Sequence, residues 1–305
     1  MLENLFTVGT QVIILFILIA IGFICNKIKY LHDTSVKDIT NFVLQVVTPC
    51  VIVNSYCRDF DPEMFKGLII TFIAALAYFI VNIILTTLLI HHKEKRTESI
   101  LRSGAVFTNC GFMSLPLQEA VLGSVGVFYG ATFVAVFNII LWTYGVIIMG
   151  GGIKNISVKK IIFSPGIIGT LLGMIVLFIP QKPPAIIMEP IKYLAALNTP
   201  LPMIVIGYHL ANSGLSIKTK TAYYSIFHRL IVAPLLMIGM LYLFGITGEI
   251  MIACTIAASS PVAAATTMFS EKFSQDTALS AVMVSVSTVL SIITMPIIVA
   301  LSTVL

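Results

Sequence analysis

Two apolar segments of the chain are interrupted by polar and helix-breaking residues, and the interruptions fall at matching places in the two halves. The first is residues 108–116, with the sequence TNCGFMSLP, and the second is residues 258–261, with the sequence ASSP. Backbone that leaves a helix inside a bilayer exposes N–H and C=O groups, so it persists only where protein or a wet cavity satisfies them. Two such breaks in corresponding positions are typical of the binding site of a secondary transporter.

The first break carries residues that can contact a solute. Asn109 and Ser114 offer side-chain hydrogen bonds, and Gly111 permits unusual backbone angles and close approach. Pro116 removes a backbone donor, so it marks the point where the helix is broken. We therefore predict that Asn109, Gly111 and Ser114 bind substrate and that Pro116 belongs to the crossover.

The second break repeats this chemistry with hydroxyl groups. Ser259 and Ser260 precede Pro261, so the serines are predicted to bind substrate and Pro261 to complete the crossover. If the breaks cross at mid-membrane, the half-helices beyond them present N-terminal N–H groups and positive dipole ends to one point, where an anion is favoured. The alternative is that the prolines only shape helix packing, but their symmetrical placement favours a binding site.

Charged residues near the breaks are few. Glu119 is the one acid adjacent to a break, and the other acids fall in loops, at helix ends or at the terminus. Broken-helix antiporters for cations usually hold carboxylates at the membrane midplane, so this distribution favours an anionic substrate. Glu119 is a candidate for coupling or gating, or an interfacial residue. Arg229 lies deep in an apolar segment, where it either pairs with a substrate carboxylate or with Glu119 as a gate, or snorkels to the surface.

The composition is that of an integral membrane protein. Of the 305 residues, 58% are hydrophobic and 10% charged, with a mean hydropathy of +1.03, against about 45–50% apolar and about 25% charged in soluble domains. The net charge of +5 comes from basic residues in short loops, which indicates membrane topology and not nucleic-acid binding. No C-x-x-C pair, Gly-x-Ser-x-Gly or His-Glu-x-x-His motif occurs. The sequence therefore predicts no enzyme, no metal site and no cofactor.

Ten apolar stretches are candidate membrane spans. They are residues 6–26, 38–56, 65–90, 101–122, 125–149, 162–180, 187–211, 221–245, 248–269 and 276–304. With this division, 14 of the 18 Lys and Arg residues fall on the side reached after odd-numbered spans. The positive-inside rule then predicts a multi-pass protein of the cell (inner) membrane with both termini outside the cytoplasm.

The span count divides the chain into two halves, residues 1–150 and 151–305, each with five predicted helices. Because the sixth span starts on the opposite side from the first, the halves have inverted topology. Matching proline features support a duplication, since Pro49 and Pro200 stand 151 positions apart and Pro116 and Pro261 stand 145 apart.

These residues resemble the auxin efflux carrier family, and the resemblance covers nearly the whole chain. The family pattern at the first crossover is an Asn followed by a Gly and a Leu-Pro-Leu or Ile-Pro-Leu, and residues 109–117 read NCGFMSLPL. Further similarities are SPG at residues 164–166 and RLIVAP at residues 229–234. The chain lacks the long cytoplasmic loop of many plant members, so it resembles the bacterial type.

The resemblance implies an all-α membrane fold of ten helices in two inverted repeats, related to the sodium/proton antiporter and bile-acid symporter folds. Broken spans 4 and 9 would cross at the substrate, with Asn109 in contact with it and Pro116 and Pro261 at the crossover. Spans 1, 2, 6 and 7 would form a scaffold, and spans 3–5 and 8–10 a mobile transport domain. The resemblance also implies a homodimer and an elevator-like movement.

The sequence thus predicts an elevator-type secondary carrier in the lipid bilayer for a small organic anion. Members of the resembled family imply either an auxin-like weak acid or a small carboxylate such as malate or malonate. The alternative within this class is a sodium- or proton-coupled symporter of bile-acid-transporter type. A channel remains a third possibility, distinguished by flux that does not saturate.

Overall fold

The computed structural model of the chain describes residues 2–181, 183–212 and 220–305. These residues are helical apart from connecting segments and one isolated β-bridge. The helices are α1 (Leu2–Lys27), α2 (Asp33–Tyr56), α3 (Pro62–Leu89), α4 (Lys95–Val106), α5 (Cys110–Gly150), α6 (Val158–Ile162), α7 (Pro165–Phe178), α8 (Ala185–Ala196), α9 (Pro200–Asn212), α10 (Lys220–Leu243), α11 (Gly248–Ser259), α12 (Ala264–Lys272) and α13 (Thr277–Ser302).

Seven helical stretches among the described residues are long and apolar enough to cross a membrane. They are α1 from Gly9 onward, α2, α3, α5, α8 together with α9, α10 and α13, while α7 and α11 are apolar but shorter. The chain is therefore a polytopic helical membrane protein. The ten crossings and the inverted orientation of the halves stay predictions, because helix length and composition do not assign the sides of a membrane.

Local chemistry sets the helix ends more finely than hydropathy does. Helix α3 begins at Pro62, because the Asp61 carboxylate accepts a hydrogen bond from the Glu63 N–H at 2.9 Å.

The predicted spans 4 and 5 share the helical stretch α5, which is interrupted at Gly123 with φ 63° and ψ −152°. Only glycine adopts such backbone angles at little cost, so the predicted boundary between these spans appears as a kink.

Glycines allow pairs of helices to pack backbone against backbone. A Cβ atom at Gly22 of α1 would overlap the carbonyl oxygen of Ile204 of α9, and one at Gly207 would overlap the carbonyl oxygen of Ile19. Helix α7 packs against α2 in a similar way, with Gly169 directly over the Cα of Pro49. Small residues at such contacts are how membrane helices gain close van der Waals packing. Helices α1 and α9 are therefore interlocked along their contact.

We expect Gly22→Ala to destabilise the protein by about 1–3 kcal/mol, because the added methyl group forces α1 away from α9. The measurement is thermal unfolding of the purified protein in detergent. Gly239→Ala in α10 is the matched control, since no atom lies within 4 Å of a Cβ placed there. An unfolding temperature for Gly22→Ala equal to that of the control would contradict the interlocked packing.

Candidate functional site

Both sequence breaks are breaks in the structure. Helix α4 ends at Val106 and α5 begins at Cys110, while α11 ends at Ser259 and α12 begins at Ala264. The first five residues of α5 form a π-helical turn, a wider coil than the α-helix. Each broken span is therefore two half-helices separated by a short extended segment.

The two extended segments pair with one another. The Asn109 N–H donates to the carbonyl oxygen of Pro261 at 2.9 Å, and the Ala263 N–H donates to that of Phe107 at 2.9 Å. These two hydrogen bonds satisfy backbone N–H and C=O groups that have no partner within a helix. Inside a membrane such groups must be paired. It also gives Asn109 and Ala263 equivalent positions in the two breaks. Only the first break carries a polar side chain at that position.

Side chains reinforce the crossing on both sides. The Thr108 hydroxyl donates to the carbonyl oxygens of Ala257 at 2.6 Å and Ser260 at 3.2 Å. The Val262 N–H donates to the Ser287 hydroxyl of α13 at 3.0 Å. Thr108 and Val262 themselves form the antiparallel β-bridge. The crossing is thus fixed by contacts from three helical segments.

Arg229 of α10 is fully buried and lies at the C-terminal ends of both first half-helices. Its Nη1 donates to the carbonyl oxygens of Ala105 at 3.3 Å and Val106 at 2.9 Å. Its Nη2 donates to the Tyr78 hydroxyl at 2.9 Å and to the carbonyl oxygen of Ala258. A cation is favoured at a helix C-terminus, where carbonyl groups are unpaired and the dipole is negative. The guanidinium therefore ties α4 to α11 and does not snorkel.

A second polar contact supports the same region. His228 Nε2 lies 2.7 Å from Asn82 Oδ1, and the Asn82 amide donates to the carbonyl oxygen of Ala105 at 3.4 Å. All three residues are buried. Helices α3, α4 and α10 are therefore joined by one polar chain beside Arg229.

Asn109 and Ser114 leave buried polar atoms without a hydrogen-bond partner. Asn109 is 5% exposed and its Nδ2 has no hydrogen-bond partner, and the buried Ser114 hydroxyl has none either. No atom lies within 4 Å of a Cβ placed on Gly111. Buried polar groups without partners are uncommon and call for an explanation. These donors lie at the N-terminal turn of α5, where N–H groups are also unpaired, so the arrangement suits a negatively charged group.

The second break directs its hydroxyl groups differently. Ser259 and Ser260 both donate to the carbonyl oxygen of Ile256, at 3.1 and 3.2 Å, so they bond back to their own helix. Thr266, in the first turn of α12, has a buried hydroxyl without a partner. The structure thus brings the serines to the crossing, while the unpaired hydroxyl on this side belongs to a threonine.

Pro116 and Glu119 lie further along α5. Pro116 is the second residue of the α-helical turns that follow the π-helical turn, not part of the paired segment itself. Glu119 is exposed and lines a separate cavity of about 210 Å³ together with Gln11 of α1 and Thr199 before α9. Arg229 and Glu119 therefore occupy different parts of the molecule and form no ion pair.

The sequence is similar to known membrane transport proteins. The family described as Membrane transport protein matches the chain twice, over residues 7–155 and over residues 151–299. An uncharacterized transporter of Methanothermobacter thermautotrophicus is 22% identical over 286 residues, which cover 92% of this chain and 93% of that protein. Each of the two family matches contains one of the crossing breaks.

Proposed function

The chain belongs to the Membrane transport protein family, the family of the auxin efflux carriers, and we propose that it is a secondary carrier for a small organic anion. The family is one of membrane transporters and not of enzymes. Within it, we propose that the substrate is a carboxylate, bound where the two broken spans cross. The observation that carries this proposal is the buried Asn109 side chain at the crossing, whose Nδ2 has no hydrogen-bond partner.

The electrostatics of the crossing support an anion. The half-helices α5 and α12 both begin there, so two sets of N-terminal N–H groups converge. Arg229 adds a full positive charge behind the paired segments, and it forms no ion pair with an acid among the described residues. A cation at this point would meet positive charge and no carboxylate. Asn109, Ser114 and Gly111 are proposed to contact the carboxylate, with Ser259 and Ser260 supporting the second break.

The packing supports an elevator-like movement. Helices α1 and α9 are interlocked through glycines, and α2 packs closely on α7, which suits a scaffold. The crossing is held by its own hydrogen bonds and by Arg229, which suits a unit that moves as one body. We propose that the second unit slides against the first to expose Asn109 to alternate sides of the bilayer, in a homodimer with both termini outside the cytoplasm.

Counterflow in proteoliposomes tests the proposed function. Purified protein is reconstituted with unlabelled malate inside, and uptake of radiolabelled malate, malonate or indole-3-acetate is followed. A carrier gives saturable, transient accumulation of at least one of these anions, and protein-free vesicles give none. Uptake that grows linearly with concentration would indicate a channel, and no uptake of any carboxylate would refute the proposal.

We expect Gly111→Val to lower the affinity for the transported carboxylate about tenfold or more, because its side chain fills open space in the first turn of α5, two residues after Asn109. The unfolding temperature should change little, since the first Cβ meets no atom within 4 Å. Equilibrium binding and thermal unfolding of the purified protein measure the two effects. Gly239→Val, at another glycine without close neighbours, is the control and should bind like the parent. Unchanged binding by Gly111→Val would show that the substrate lies elsewhere.

A further inference from the structure

The cavity at Glu119 lies outside the crossing and has mixed walls. Ile14 and Leu15 of α1 form an apolar wall opposite α5, and the polar lining residues are Gln11, Glu119 and Thr199. Its volume of about 210 Å³ is far larger than a single water molecule needs. Pro116, Leu117 and Ala120 complete the lining. The cavity therefore lies between α5, α1 and the junction between α8 and α9, beside the place where Leu15 and Leu117 share one buried core.

The helices on each side of this cavity are firmly packed or bonded to one another. On one side α1 and α9 are interlocked at Gly22 and Gly207. On the other side α5 is joined to α12 through the paired breaks, and Arg229 holds the ends of α4 and α11. Protein interiors are otherwise close-packed. The cavity leaves room at this junction for the sliding of packed helices that the proposed carrier function requires.

Glu119 has a carboxylate without a partner in this gap. Across the cavity α1 presents Gln11 and the α8–α9 junction presents Thr199, and neither side chain titrates or carries charge. The described ion pairs join Lys66 to Glu63, Arg102 to Glu98 and Lys192 to Glu189, so none of them involves Glu119. The carboxylate thus has no neighbouring cation to neutralise it when α5 moves.

We propose that Glu119 is a proton-binding site that couples movement of the anion to movement of a proton. This inference rests on the proposed function. Asn109 directly precedes the half-helix that carries Glu119, and the two residues are about 15 Å apart along its axis. A carboxylate that slides past Ile14 and Leu15 loses water without gaining a partner, which is strongly unfavourable while it is charged. A bound proton removes that charge, and a bound anion nearby favours the protonated form.

A proton fits this cavity better than a metal cation. Metal cations such as Ca²⁺ and Mg²⁺ require about six oxygen ligands, whereas the cavity offers one carboxylate, one amide and one hydroxyl side chain. No group of three or more metal-binding side chains occurs in the described part of the chain. The proton is taken up by the Glu119 carboxylate on one side of the membrane and released from it on the other.

The test is malate accumulation in proteoliposomes with the membrane potential clamped at zero and sodium omitted. For one proton per anion, a gradient of about one pH unit, acidic outside, should drive about tenfold accumulation by the parent protein. Glu119→Gln should keep malate counterflow and lose this accumulation, because its side chain stays neutral in every state. Glu63→Gln, at an exposed acid paired with Lys66, is the matched control and should accumulate malate like the parent.

Two outcomes of this test would overturn the proton site. One is equal malate accumulation by Glu119→Gln and the parent under the pH gradient. The other is parent protein that shows counterflow without any effect of the gradient, as expected if Glu119 is only an interfacial acid. Even if Glu119→Gln does not fold, an internal pH dye in vesicles with the parent protein tests the coupling, and malate uptake without proton entry would overturn the proposal. Absence of counterflow in the parent would instead refute the carrier function itself.

Discussion

Replacing Asn109 with alanine should weaken carboxylate binding about 10- to 100-fold. The reason is that a hydrogen bond to a charged group contributes about 1.5–3 kcal/mol. The Nδ2 of Asn109 has no partner within the described protein, so the substitution removes no internal hydrogen bond from that atom. The fold should therefore persist. Equilibrium binding of a radiolabelled malate, malonate and indole-3-acetate panel, together with thermal unfolding, measures both parts of this expectation.

Asn138→Ala is the matched control for Asn109→Ala. The Asn138 side chain is half-buried in α5 and donates to the carbonyl oxygen of Val134 of its own helix at 2.9 Å. Its removal should leave binding unchanged. Asn109→Asp should be more severe than Asn109→Ala, because it introduces a negative charge where the substrate carboxylate binds. If Asn109→Ala binds as tightly as the parent, Asn109 does not contact the anion.

Arg229→Met should destabilise the protein by about 3 kcal/mol or more, because more than one buried acceptor loses its hydrogen bond and each costs about 1–3 kcal/mol. Arg229 donates to three carbonyl oxygens at the ends of α4 and α11 and to the Tyr78 hydroxyl. Methionine fills part of the volume but leaves the buried carbonyl oxygens of Val106 and Ala258 without the donor that Arg229 supplies. The measurement is thermal unfolding in detergent. Arg229→Lys should recover only part of the loss, since one ammonium group cannot reach all four acceptors.

Arg102→Met is the control for Arg229→Met. It shows how much stability is lost when an arginine at a helix end is removed from a less buried site. Arg102 also donates to carbonyl oxygens at a helix end, those of Thr87 and Ile90, but its side chain is 16% exposed and pairs with Glu98. Water can replace those contacts, so the loss should be about 1 kcal/mol. Equal effects of Arg102→Met and Arg229→Met would mean that Arg229 does not hold the crossing together.

The family and the helical membrane character followed from the sequence because both depend on local patterns. Apolar stretches of spanning length predict membrane helices whatever their neighbours are, and residues 109–117 carry the family pattern in one short segment. The two breaks were predictable for the same reason, since glycine, proline and small polar residues disrupt a helix locally. The match of the family model confirms the predicted resemblance to this family.

Contacts between distant residues were not predictable in this way. Nothing in the sequence around Arg229 indicates that it lies at the ends of two half-helices, because its acceptors are main-chain carbonyls, which carry no sequence signal. The hydroxyl directions of Ser259 and Ser260 depend on the free carbonyl of Ile256 one turn earlier. The cavity at Glu119 arises from packing between α1 and α5. Such features require the folded chain.

The central claim is that a carboxylate binds where the two broken spans cross. Its most direct test is an anomalous difference map of the protein crystallised with a brominated carboxylate that competes with the transported anion. We predict one bromine peak in the space beside Gly111, with the carboxylate in hydrogen-bond distance of Asn109 Nδ2. A peak in the Glu119 cavity or at the lipid-facing surface, with the crossing empty, would contradict the claim.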